Sequence, residues 1–189
     1  MKQNILDTLR KIKRGPQVIL PRDASIIVAE TGCSKDWKVV DAGTGSAFLA
    51  LFLANLGCKV YSYEKDNNFY KLAKENVKKT GFKNIILKNK DITKGISERG
   101  IDLVTLDMKD SYKVIKNVYN SLNLGGWIAV YVMHVEQMQK VWRELEKLGF
   151  KDMKIIESIR REWQIEGKTY TRPKSQMIGH TGFLIFGRK

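Results

Sequence analysis

The sequence predicts an α/β fold with a mostly parallel, seven-stranded sheet and a C-terminal antiparallel hairpin. Two observations carry that prediction. From Trp37 to Gly149 short β-branched runs alternate without interruption with helical stretches, the pattern of a parallel sheet covered on both faces. After Gly149 the alternation stops, and two strand-like runs follow with no helix between them. At 189 residues the chain has the size of one domain with a full core. Residues 1–14 read as a basic arm and residues 15–189 as the domain.

The chain opens with a basic helical stretch, Ile5 to Arg14, followed by the turn-forming segment GPQVILPRDA. Asp23 starts an apolar-rich helix to Glu30, and Gly32 ends it. KVVDAG is the first strand; the apolar run from Ser46 to Leu56 is the next helix, with Gly57 as its C-cap. The second strand runs from Lys59 to Glu64. Asp66 then caps a helix whose apolar positions Phe69, Leu72, Ala73 and Val77 recur at three- and four-residue spacing. NIILKNKD forms the third strand, to Asp91, and IDLVTLD the fourth, to Asp107. A helix over Tyr112 to Leu122 leads to the strand WIAVYVM, and Glu136 to Leu148 is the last helix, closed by Gly149. The final strands are Asp152 to Trp163 and Gly179 to Arg188, joined by the polar segment QIEGKTYTRPKSQM. Parallel neighbours imply right-handed crossovers.

Hydrophobic residues make up 43% and charged residues 29%, enough for a core and a solvated surface. The longest apolar run, Ala47 to Leu56, is interrupted at Asn55 and falls short of the ~20 residues of a membrane-spanning helix. The charged N-terminal segment lacks the apolar core of a secretory signal, so a cytoplasmic protein is expected. Cys33 and Cys58 have no CxxC partner, and His134 and His180 are the only histidines. A structural zinc site would lack ligands; both cysteines read as buried thiols and no metal is expected. Lysine and arginine number 34 against 20 acids, a net charge of +14. Such a surface attracts polyanions and releases counterions on binding phosphates, which favours a nucleic-acid partner. A lysine-rich solvated surface is the plainer alternative.

In open sheets of this kind ligands bind beyond the carboxyl ends of the strands. The first strand ends in DAGTGS and the next three in Glu64, Asp91 and Asp107. Gly43 and Gly45 let backbone approach a ligand where side chains would clash, and the following helix offers free N–H groups. Glu64 stands where an acid binds ribose hydroxyls. Phe48 occupies the third glycine position of the dinucleotide fingerprint and opposes close packing around a pyrophosphate, so an adenosyl ligand without one fits better. Asp91 can accept a hydrogen bond from the exocyclic amine of that adenine; its plainer role is a turn or helix cap. Asp107 lies beside the place of a reactive methyl if Gly43 to Gly45 hold a methionine moiety.

Together these residues resemble the archaeal and bacterial tRNA adenine-N1 methyltransferases that act on the T-loop at position 57 or 58, from about Arg14 to the C-terminus. GPQVILPRDA is similar to the segment entering the family's methyltransferase domain, DAGTGS to its cofactor loop, SYEKD to its ribose-binding strand end and KDITKGI to its adenine-contacting loop. REWQIEG, and RP followed by GHTGFLIFGRK, resemble its C-terminal hairpin. The last is the most specific, because methyltransferases in general share the glycine loop but lack an HTGF strand. The resemblance implies a Rossmann-like class I methyltransferase fold and S-adenosyl-L-methionine as cofactor. It implies a cofactor site of Gln17, Gly43, Thr44, Gly45, Ser46, Glu64, Asp91 and Ile92. It also implies Asp107 as the catalytic carboxylate, Arg172 and His180 near the target nucleotide, Tyr112 as a base-stacking aromatic, tRNA as partner and a homotetrameric assembly.

Three features depart from the family pattern. Residues 1–14 alone precede the matching segment, where the family usually carries an N-terminal β-rich domain. Met108 to Ser111 stand where prolines commonly follow the catalytic Asp. Ala47 replaces a glycine of the cofactor loop, a mild change if the backbone there is helical.

Methyl transfer from a sulfonium needs alignment and electrostatics more than acid–base chemistry. Adenine N1 is a poor nucleophile and is normally paired, so the base must leave its stack. Asp107 would accept a hydrogen bond from the N6 amine and stabilise the charge that methylation creates. Arg160, Arg161, Lys168, Arg172 and Lys174 bracket the C-terminal loop and would track phosphates. Two other readings stay open: a small-molecule methyltransferase resembling the precorrin decarboxylating methylases, and a non-catalytic subunit that keeps the fold to bind RNA.

Overall fold

Six helices and nine strands are seen in the computed structural model, which describes residues 4–15, 18–166 and 170–189. The strands are β1 (Lys38–Ala42), β2 (Lys59–Tyr63), β3 (Ile85–Lys88), β4 (Ile101–Leu106), β5 (Leu122–Val132), β6 (Lys151–Glu157), β7 (Trp163–Glu166), β8 (Tyr170–Pro173) and β9 (Phe183–Arg188). The helices are α1 (Ile5–Lys11), α2 (Pro21–Thr31), α3 (Phe48–Asn55), α4 (Asn67–Thr80), α5 (Ile115–Ser121) and α6 (Val135–Lys147). Seven strands form one sheet in the order β3-β2-β1-β4-β5-β9-β6. β1 to β5 run parallel, and β9 pairs antiparallel with both β5 and β6.

The central strand explains why the sheet takes this form. β1 is buried from Val39 through Ala42, as a strand covered on both faces must be, and Val40 lies in register with Tyr61 of β2 and Val104 of β4. One core layer gathers Leu9, Ile27, Leu51, Leu53 and Val60 beneath α1 to α4. The other gathers Val40, Val104, Ile115, Val118 and Leu145 beneath α5 and α6. α3 is apolar around most of its circumference and correspondingly buried, whereas α4 buries only Ala73 and Asn76 fully and turns its lysines to solvent. Asp66 caps α4 by accepting from the N–H groups of Asn68 (2.7 Å) and Phe69 (3.0 Å), and Gly81 ends it in the left-handed region.

Asn76 has a second role. Its side chain, fully buried, donates to the carbonyls of Lys13 (2.9 Å) and Ser46 (3.0 Å) and accepts from Lys13 N–H (3.1 Å). It thereby ties the segment after α1 to the loop between β1 and α3. Asn76→Ala would leave these buried groups without partners and should lower stability by about 2–3 kcal/mol. A fall of the urea midpoint at unchanged m-value checks this; an unchanged midpoint would show that the segment is anchored elsewhere.

The structure departs from the sequence reading in several places, two of them strand ends: β3 stops at Lys88 rather than Asp91, and β9 starts at Phe183 rather than Gly179. α1 ends at Lys11, with Ile12 already extended. The helix expected over Tyr112 to Leu122 divides into a 3₁₀ turn (Ser111–Val114) and α5, and Leu122 already belongs to β5. The strand expected over Asp152 to Trp163 breaks after Glu157, where the polar run Ser158 to Glu162 offers no alternating apolar face. The segment expected as a polar loop carries its own antiparallel pair, β7 and β8, with Gln164 opposite Arg172.

Candidate functional site

The site grows from the carboxyl ends of β1, β2 and β4. Gly43, at φ +88°, takes the chain out of β1 so tightly that a Cβ there would lie 1.8 Å from the carbonyl oxygen of Asp107. Asp107 N–H donates to Ala42 O (2.8 Å), so the two strand ends hold each other. Gly43 and Thr44 both donate their N–H groups to Tyr63 O (3.1 and 3.3 Å). The loop is thus clamped between β2 and β4 by backbone alone. Ala47 closes it at φ +66°, in the left-handed region rather than the helical backbone that would make its replacement of glycine mild; a non-glycine residue pays roughly 1–2 kcal/mol there.

A buried polar network braces the loop from below. Asp41, 2% exposed, accepts from Ser62 Oγ (2.6 Å) and Thr105 Oγ1 (2.8 Å), and Ser62 meets Thr44 Oγ1 at 2.6 Å. Burial raises the Asp41 carboxyl above the usual range, against the lowering by its two hydroxyl donors. Sequence reasoning missed Asp41, although an acid inside an otherwise apolar central strand is a signal in itself.

Glu64 follows β2 and is buried. Its Oε2 accepts from Gly45 N–H (2.9 Å) and its Oε1 from Asp66 N–H (2.9 Å), which fixes the carboxylate and leaves each oxygen further lone pairs for hydroxyl donors. Asp91 caps the 3₁₀ turn Ile92–Lys94, accepting from Thr93 N–H (2.9 Å) and Oγ1 (2.7 Å), bonds that lower its carboxyl pKa. It also lines a cleft of about 580 Å³ with Tyr63, Asn89 and Ile96, so the capping role leaves it at a cleft wall; Ile92 is buried.

Gly43, Thr44, Gly45, Ser46 and Asp107 line one narrow cavity together with Phe48, Val18 and Ile19. Burial pushes the Asp107 carboxyl up to about 7, and the Asp41 carboxylate adds to the effect. Tyr131, on β5, feels the charges of both Asp23 and Asp107, which with burial push it up to about 12. Its hydroxyl donates to Thr181 O, and Gly182 packs where a Cβ would meet the Tyr131 ring.

The structure does not bring the three expected substrate residues into that cavity. His180 is exposed, with Nδ1 2.5 Å from Glu157 Oε1 and Nε2 3.2 Å from Met133 O, and Glu157 raises its pKa. Tyr112 is half-buried, with the ammonium groups of Lys113 and Lys140 at 5.6 and 5.5 Å from its ring centroid. Arg172 is exposed on β8 and donates to Ser175 Oγ (3.0 Å). Gln17 and Lys168 lie outside the described residues. Cys33 and Cys58 are buried free thiols with sulfurs 3.5 Å apart, and no metal-binding cluster occurs among the described residues.

Residues 8–171 match the family model of the tRNA methyltransferase complex GCD14 subunit. A tRNA (adenine(57)-N(1)/adenine(58)-N(1))-methyltransferase TrmI of Methanocaldococcus jannaschii is 31% identical, over 97% of this chain and 76% of its own. A tRNA (adenine(58)-N(1))-methyltransferase TrmI of Thermus thermophilus is 29% identical, over 96% and 72%. Among solved structures, a SAM-dependent O-methyltransferase from Thermotoga maritima superposes with TM-score 0.91 at 29% identity, covering 99% of this chain and 71% of that one. The tRNA (m1A58) methyltransferase TrmI from Aquifex aeolicus superposes with TM-score 0.90 at 26% identity, covering 98% and 76%. A precorrin 8W decarboxylase from Methanobacterium thermoautotrophicum shares the fold alone, with TM-score 0.79 at 19% identity over 94% and 97%.

Proposed function

This chain belongs to the family of the tRNA methyltransferase complex GCD14 subunit, and on that premise we propose that it methylates N1 of an adenine in the tRNA T-loop, at position 57 or 58. The observation that carries this reading is the meeting of the glycine loop and Asp107 in the lining of one cavity. A small-molecule acceptor of the precorrin type is not favoured, because that likeness is one of fold only.

The cofactor is S-adenosyl-L-methionine, and the residues present fit it. The loop at Gly43 and Gly45 leaves backbone open to a ligand, and Glu64 is held ready for hydroxyl donors. In this reading Gly43 to Ser46 hold the methionine part, Glu64 the ribose, and Asp91 and Ile92 the adenine, with Gln17 completing the site. When bound, the cofactor supplies an electrophilic methyl group on a positively charged sulfur. Residues 15–189 form the catalytic domain and residues 1–14 its arm.

Asp107, in its ionised form, accepts a hydrogen bond from N6 of the target adenine. That contact draws electron density toward N1 and stabilises the positive charge left on the ring. His180, whose ring nitrogens lie against Glu157 and Met133 O, together with Tyr112 and Arg172, contacts the RNA around that base.

β7 and β8 expose Trp163 (61%), Ile165 (77%) and Tyr170 (69%) on a two-stranded sheet, an element that is marginal in water on its own. These side chains support self-association into the homotetramer of the resemblance, which light scattering on the purified protein would read directly. Action on tRNA places the protein, in this reading, in the cytoplasm; no helix among the described residues is long and apolar enough to cross a membrane.

The deciding experiment is transfer from labelled S-adenosyl-L-methionine to an unmodified tRNA transcript, followed by nucleoside digestion. The expected product is 1-methyladenosine; a 2′-O-methyl nucleoside, or no label despite cofactor binding, would sink the proposal. Glu64→Gln should weaken cofactor binding roughly 10–100-fold, the value of a charged hydrogen bond or two, and change kcat much less. Calorimetric titration with the cofactor checks it, and an unchanged Kd would remove Glu64 from the site.

A further inference from the structure

A second cleft, of about 940 Å³, opens between α1, the start of α2 and the segment around β7 and β8. Among the described residues its wall carries Arg10, Arg14, Arg22, Arg160 and Lys174 with one acid, Glu162, while Arg10 and Arg22 also pair with Asp7 (3.4 Å) and Asp23 (3.6 Å) outside the lining. Glu162 binds Arg160 (2.7 Å) on one oxygen and Lys174 (2.6 Å) on the other, so it holds the two cations side by side at the rim. The lining also includes Leu6 and Ile178, apolar side chains that remain 41% and 61% exposed. Cations along an apolar surface match a nucleic-acid strand, with phosphates on the charges and base faces on the hydrocarbon.

The cleft and the proposed catalytic cavity are lined by consecutive stretches of one segment. Val18 and Ile19 line the cavity, while Leu20, Pro21 and Arg22, the next three residues, line the cleft. Arg14 lines the cleft with its guanidinium 5.2 Å from the ring centroid of Phe48, which lines the cavity. Arg22 reaches from the cleft to Thr181 Oγ1 (3.0 Å), beside His180.

We propose that this cleft binds the RNA strand flanking the target adenine, with Arg10, Arg160 and Lys174 on its phosphates. The inference rests on tRNA being the substrate and adds the place where its backbone runs. A small anion has no use for the apolar floor, and a strand lying here stays within reach of the cofactor loop.

Binding of a tRNA transcript to the full chain tests it, measured by fluorescence anisotropy between about 50 and 200 mM salt. Neutralising Arg10, Arg160 and Lys174 to Gln should weaken binding at least about tenfold and make the log–log salt slope shallower by about 2, at roughly 0.7 per lost phosphate contact. Cofactor affinity should stay unchanged. Glu162→Gln should act in the opposite direction, tightening binding, an outcome that damage to the hairpin would not produce. Unchanged slope and affinity in both variants overturn the cleft as an RNA site. A changed oligomeric state with an unchanged slope would assign it to a second copy of the chain and overturn it equally. If the unaltered protein forms no 1-methyladenosine, the tRNA reading itself fails; if it does and the variants bind as before, only the cleft fails.

Discussion

Asp107→Asn is expected to lower kcat/KM for tRNA by about 10²–10³-fold while leaving S-adenosyl-L-methionine affinity within a few-fold, the size of effect of removing one preorganised electrostatic contact. The amide keeps the shape and loses the negative charge that steadies the methylated ring. Burial pushes the carboxyl up to about 7, and in the proposed role only its ionised form acts, so the wild-type pH profile of kcat/KM should rise through an inflection near 7, and the variant should lose that limb. Full turnover in the variant, or an unchanged profile, would remove Asp107 from catalysis. The same group sets a stability difference of opposite sense. Between its unfolded value of 3.8 and its folded value near 7 the native state holds a proton that the unfolded chain releases, so stability falls as pH rises across that window and then levels. Asp107→Asn escapes this and should be more stable than wild type by about 2–4 kcal/mol at pH 8, with the gap closing toward pH 4. Denaturant midpoints at the two pH values read it.

Gly43→Ala is expected to abolish measurable cofactor binding and to destabilise the chain by about 3 kcal/mol or more, a magnitude reserved for strain at special backbone geometry combined with overpacking. The new Cβ would meet the Asp107 carbonyl, which is backbone and cannot swing aside, and the same displacement would pull the Asp107 side chain from the loop. Gly32→Ala is the control: it has φ +71° with nothing within 4 Å of the added Cβ, so it carries only the conformational cost of roughly 1–2 kcal/mol. Equal losses in the two variants would show that the contact between β1 and β4 is not what makes Gly43 necessary. Both are read by thermal unfolding with and without cofactor.

Features legible in the sequence were those written locally. β1 to β5 follow from β-branched runs separated by helical periods, and Glu64, Asp91 and Asp107 stand out because they follow those runs where ligands of open sheets bind, although Asp91 also has the structural role of a cap. Contacts between distant segments were not legible. Asp41 meets Ser62 and Thr105 across 21 and 64 residues of sequence, so the acid within KVVDA signals a buried polar group but not the partners that make it the brace beneath the loop. The left-handed backbone of Ala47 is imposed by the same clamp and overrides the helical preference of alanine. The two final strands and their antiparallel pairing at the sheet edge were readable, but which of them meets β5 was not: pairing β9 with β5 depends on which edge the sheet leaves open, a property of the whole assembly. The strands β7 and β8 hid in a polar composition because both are largely exposed and bury no alternating face.

The position of β9 also orders events in time. It is the seam between β5 and β6, pairing Ala129 with Phe186 on one side and Ile155 with Ile185 on the other, yet it is synthesised after both. While the polypeptide grows from its N-terminus, β5 stands as a bare edge and β6 has no place in the sheet. The parallel half, with the glycine loop and its brace, can assemble on the ribosome; β6 must wait for the last strand to arrive.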